Sequence, residues 1–79
     1  MPTLLNIEGF RFYFFSNEGT EPSHVHVEKG DGMAKFWLDP VSLVSSEGLT
    51  RAELRRSREI VEEHAAAFLE RWNEYFGRR

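Results

Sequence analysis

His24-Val25-His26-Val27-Glu28-Lys29-Gly30-Asp31-Gly32-Met33-Ala34-Lys35-Phe36-Trp37-Leu38 is the stretch that decides the fold. Two alternating runs flank a glycine-rich turn. Period two puts Val25 and Val27 on one side of the first run, and His24, His26 and Glu28 on the other. In the second run Ala34, Phe36 and Leu38 share a side, opposite Met33, Lys35 and Trp37. Lys29-Gly30-Asp31-Gly32 suits the positive φ of a tight turn, so strands over 24–28 and 33–38 form an antiparallel hairpin.

The same pattern extends outward in both directions. Phe10-Arg11-Phe12-Tyr13-Phe14-Phe15 reads as a strand over 10–15, with Phe10, Phe12 and Phe14 on one face and Arg11, Tyr13 and Phe15 on the other. Thr3-Leu4-Leu5-Asn6-Ile7 reads as a strand over 3–7, joined to it by a turn at Glu8-Gly9. Residues 16–23 are turn formers and read as a loop. Asp39-Pro40 ends the fourth strand, and 41–45 is expected as one more short edge strand.

Thr50-Arg51-Ala52-Glu53 matches a capping box, a hydroxyl followed three residues later by glutamate. Leu54, Val61, Ala65, Phe68, Trp72 and Tyr75/Phe76 then recur at helical spacing, interrupted at Arg58, and Gly77 suits a C-cap. The spacing predicts a helix over 51–76. The sum is one α+β domain over 1–79. An antiparallel β-meander of three to five strands carries one long C-terminal helix across its apolar face.

Composition narrows the function classes. At 79 residues the core is small, and with no cysteine there is neither a disulfide nor a thiolate metal site. The first residues lack a basic n-region, and no apolar run approaches the ~18 residues a membrane span needs. The expectation is a soluble, cytoplasmic chain with no membrane contact. Net charge is −3. Residues 1–49 hold three cations and seven acids, against seven and six in 50–79, so the sheet is not a basic patch.

With the helix on one sheet face, the other face has nothing in this chain to cover it. It is expected to carry Arg11, Tyr13, Phe15, His24, His26, Glu28, Lys35 and Trp37. Neighbours on one face of a strand lie roughly 6.5–7 Å apart, so these groups fall within one patch. Three readings remain open. In RNA chemistry, His24 and His26 would transfer protons. Arg11 and Lys35 would hold a phosphate, and Tyr13 would stack a base or orient a group. In a metal site, His24 and His26 would supply two nitrogens, with Glu28, Asp31 or His64 as third ligand. In the plainest reading the polar face is solvated, and its aromatic residues mark a docking surface for a partner or a second copy. Nothing calls for an organic cofactor, and whether the chain is an enzyme is left open.

Read together, Met1-Pro2-Thr3-Leu4-Leu5, residues 10–18, Pro22-Ser23-His24-Val25-His26-Val27-Glu28, Ala34-Lys35-Phe36-Trp37-Leu38 and Trp72-Asn73-Glu74-Tyr75-Phe76-Gly77 resemble the domain-of-unknown-function 4160 family across nearly the whole chain. The resemblance implies a small prokaryotic protein encoded beside a member of another uncharacterised group, the 2442 family. That arrangement implies a toxin–antitoxin-type pair, with this chain as the toxin-like member. Family members usually have Pro-Pro before the first histidine. Here Ser23 stands in the second position and both histidines are kept.

Overall fold

The computed structural model describes residues 3–77. Five strands precede one helix: β1 (Thr3–Ile7), β2 (Phe10–Tyr13), β3 (His24–Lys29), β4 (Gly32–Leu38), β5 (Val41–Glu47) and α1 (Arg51–Phe76). The strands form one antiparallel sheet in chain order, β1-β2-β3-β4-β5, so the fold is the expected α+β meander with a helix across one face.

Local chemistry explains the turns. Glu8 (φ 56°) and Gly9 (φ 84°) both take positive φ, as a two-residue hairpin that matches strand twist requires. Gly32 has no room for a side chain: a β-carbon there would stand 2.6 Å from Leu49 and 2.8 Å from the Gly48 carbonyl oxygen. The capping box forms as its sequence predicts. Glu53 N donates to Thr50 Oγ1 (3.0 Å), and Thr50 N donates to Glu53 Oε1 (2.9 Å). Gly77 closes α1 in the left-handed conformation.

Phe10, Phe12, Val25, Val27, Ala34, Phe36 and Leu38 make the buried sheet face, closed by Ile60, Val61 and Phe68 of α1. Each fully buried aliphatic or phenyl side chain adds about 1.5–3 kcal/mol of burial free energy. A bidentate ion pair, Arg56 to Glu8 at 2.9 and 2.7 Å, ties α1 to the β1–β2 turn.

Three departures from the sequence reading shape the rest. First, β2 stops at Tyr13, so Phe14 and Phe15 leave the ladder. Phe15 N donates to Glu18 Oε1 instead of to a neighbouring strand, and Phe14 turns onto Trp72, Tyr75 and Phe76 of α1. Second, β5 runs on to Glu47 and is a full edge strand, bulged where Lys35 pairs with Ser45 but Phe36 pairs with Leu43. Third, the helix stripe is not broken at Arg58. Ser57 and Ile60 continue it, with Ser57 Oγ donating to the Leu54 carbonyl at 2.8 Å.

Candidate functional site

Strand pairing settles which side chains share the second sheet face. Arg11 pairs with Glu28, and Tyr13 with His26. His26 pairs with Lys35, and His24 with Trp37. Directly paired residues point to the same side of a sheet. All seven therefore lie opposite the apolar core, as alternation predicts.

The face is less open than expected. Residues 14–23 fold back over the end of β3 and bury His24 completely. Its ring centroid lies 4.9 Å from that of Trp72 of α1 and 5.9 Å from that of Trp37. His24 therefore touches the helix that was expected to lie only behind the sheet. Tyr13, 6% exposed, is also covered. The covering loop is pinned to the last turn of α1 by Phe14 and by Gly19, which sits against the Phe76 ring.

Both expected phosphate-binding cations already have carboxylate partners. Arg11 Nη1 donates to Glu28 Oε1 at 3.0 Å, and the guanidinium carbon sits 4.5 Å from the Tyr13 ring centroid. Lys35 Nζ donates to Glu21 Oε1 at 2.8 Å and stands over Trp37. That bond is the main reason the Glu21 carboxyl is held below its usual range. Burial, then the nearby Glu28 charge, pushes the Tyr13 phenol up.

The residue missed by sequence reasoning is Glu18. It lies in a loop of turn formers, and no spacing rule links it to β3. The loop returns it to the histidines all the same. His26 Nε2 lies 2.8 Å from Glu18 Oε2, and His24 Nε2 lies 2.9 Å from Glu18 Oε1. Burial pushes the Glu18 carboxyl up, but the Phe15 N–H and then the contact with His26 outweigh it, and the net direction is down. The carboxylate is thus the ionised form near neutrality.

Glu28, one of the three candidates for third ligand beside the histidines, belongs instead to Arg11. Strand geometry explains the change: Glu28 is one same-face step beyond His26 and directly opposite the guanidinium. His64, on α1, bonds the Ile60 carbonyl and stacks on Phe68. Among the described residues, Glu18, His24 and His26 are the cluster whose donor atoms, one from each, all lie within 4.8 Å of one another.

His26 stays partly accessible. Its ring stacks on Tyr13 (centroids 5.4 Å, planes 23° apart) and meets the edge of Phe15. It opens onto a groove of about 340 Å³ that runs past Met33 and Lys35 to Ser45, Ser46 and Glu47 on β5. Phe15 and Met33 are 40% and 49% exposed along it. Among the described residues no helix is long and apolar enough to cross a membrane.

Comparison with known proteins agrees with the family resemblance and adds no activity. No curated protein and no solved structure matches the chain. One family model matches residues 9–73, from the β1–β2 turn to the last turns of α1. The chain belongs to the family described as Domain of unknown function (DUF4160).

Proposed function

We propose that this protein is a non-enzymatic docking module whose free edge strand β5, with the groove beside it, takes an extended segment of a second protein. The observation that carries this reading is the edge itself. Among the described residues β5, seven residues long, is paired only to β4; it contains neither proline nor lysine, and its bulge at Val44 is the one feature that limits pairing along this edge. Leu43 and Val44 are each 40% exposed on it. A strand added to β5 would gain main-chain hydrogen bonds and place alternate side chains over the groove. Apolar side chains suit Phe15 and Met33, and a basic one suits Glu47. A second copy is the weaker occupant, because a two-fold pairing centred on β5 sets one bulge at Val44 against another.

RNA cleavage is the second reading. Its support is His26, partly exposed, oriented by Glu18 and paired across the strands with Lys35. Against it, a phosphate would have to displace Glu28 from Arg11 or Glu21 from Lys35 on a face that already carries Glu18 and Glu47.

The product of the neighbouring 2442-type gene, suggested by the family resemblance, is the first partner to test. Both proteins are purified, their affinity is measured by calorimetry, and total RNA is incubated with this chain. The docking reading expects a 1:1 complex, weakened in Met33→Lys, and intact RNA. Degradation of RNA by the wild type but not by His26→Ala overturns it in favour of cleavage. Undiminished affinity in Met33→Lys removes the groove from the interface and also overturns it.

A further inference from the structure

We infer that Glu18, His24 and His26 form a binding site for a divalent late first-row transition-metal cation. The Pro22 carbonyl sets the tautomer of His24. Its Nδ1 lies 2.9 Å from the Pro22 carbonyl oxygen. A carbonyl only accepts, so Nδ1 carries the proton, and in the neutral ring Nε2 is left as a lone pair. That lone pair lies beside Glu18 Oε1 at 2.9 Å, which is also an acceptor. Two acceptors facing each other make no hydrogen bond, and Nε2 of this fully buried ring has no hydrogen-bond partner. An unpartnered buried nitrogen facing a carboxylate is costly unless a cation stands between them.

The surroundings match what a metal-bound histidine needs. Such rings usually donate their second N–H to a backbone carbonyl or carboxylate, as His24 does to Pro22. The Phe15 N–H bonded to Glu18 Oε1 at 2.9 Å fixes the carboxylate in the same way. Tyr13 and Phe15 around His26, and Trp37 and Trp72 around His24, supply an apolar shell.

Donor chemistry selects the ion. Two imidazoles and one carboxylate suit Zn²⁺, Ni²⁺, Co²⁺ or Fe²⁺, not a soft ion that prefers sulfur or a hard one that prefers oxygen alone. Bonds of about 2.0–2.1 Å place neighbouring donors roughly 3.3–3.4 Å apart in a tetrahedron and roughly 2.9–3.0 Å apart in an octahedron. Glu18 Oε1 lies 2.9 Å from His24 Nε2 and 3.1 Å from His26 Nε2, closer to the octahedral than to the tetrahedral spacing. Three protein donors then leave positions for water or a ligand.

The test uses full-length protein stripped with chelator and titrated with Co²⁺, Ni²⁺ and Zn²⁺. Calorimetry gives stoichiometry, and tryptophan emission reports proximity, because Trp37 and Trp72 flank His24. The expectation is one ion per chain, quenching by Co²⁺ and Ni²⁺, and affinity lowered more than about tenfold in Glu18→Gln and in His26→Gln. Glu28→Gln and His64→Gln should bind as the wild type does. Circular dichroism verifies that each variant is folded. Glu18→Gln and His26→Gln alter partly exposed side chains, so the test does not depend on replacing the buried His24. The inference is overturned if no cation binds the wild type below millimolar concentration. It is equally overturned if folded Glu18→Gln and His26→Gln both bind undiminished.

Discussion

Gly19 lies so close to Phe76 that a β-carbon on it would stand 2.5 Å from Phe76 Cδ1. This contact pins the loop that carries Glu18 to the last turn of α1, 57 positions further along the chain. It joins the packing of the helix to the geometry of the histidine cluster.

Gly19→Ala is therefore expected to act on both. Forcing a methyl group against a ring held by Phe14 and Trp72 costs about 1–3 kcal/mol. Urea denaturation measures this as a lower midpoint at unchanged slope. The same variant shifts Glu18 away from His26. Unchanged stability would mean that the loop yields freely and that the clamp is unimportant.

Thr50→Ala tests the capping box at the other end of α1. Removing the hydroxyl strands the Glu53 N–H, while the backbone N–H of residue 50 can still donate to Glu53 Oε1. The expected loss is about 1 kcal/mol, read as a lower thermal midpoint. In a domain this small, that is a substantial share of the total stability.

The Glu8–Arg56 bridge predicts an acid-side effect. The Arg56 hydrogen bond holds the folded Glu8 carboxyl below its ordinary value of 4.5. A group with a depressed folded pKa contributes stability above its unfolded pKa and loses it as pH falls through the folded value. Stability measured from pH 7 down to pH 3 should drop less steeply below about pH 4.5 in Glu8→Gln than in the wild type. The effect should shrink in high salt, since both side chains are substantially exposed.

How much of this was legible in the sequence depends on the range of the interaction. Alternation at 24–28 and 33–38 fixed the register, and so the shared face of His24, His26 and Lys35, because a one-residue slip would have put Val25 and Val27 into water. Thr50, Glu53 and Gly77 announced the helix ends through local hydrogen bonds. Glu18 could not be read this way: its position depends on Phe14 leaving the sheet and on Gly19 meeting Phe76, contacts between distant parts of the chain. Ser57 was missed in the helix stripe because its burial rests on a bond to the Leu54 carbonyl, not on hydrophobicity. The last residues of β5 were missed because they are polar and exposed, so no core contact marks them as a strand.

Occupation of the β5 edge should be visible without mutation. Amide hydrogen exchange of Val41–Glu47 is expected to slow when the partner segment binds, while Thr3–Ile7 on the opposite edge stays unchanged. Protection of Thr3–Ile7 alone would place the interface on the wrong side of the sheet.

The most direct measurement of the central claim is the long-range proton–nitrogen NMR spectrum of the three imidazoles, recorded before and after addition of Zn²⁺. His24 should show a protonated Nδ1 and a bare Nε2, and the Nε2 resonances of His24 and His26 should both move on addition while those of His64 stay fixed. A His24 ring protonated at both nitrogens, and unmoved by the ion, would contradict the account.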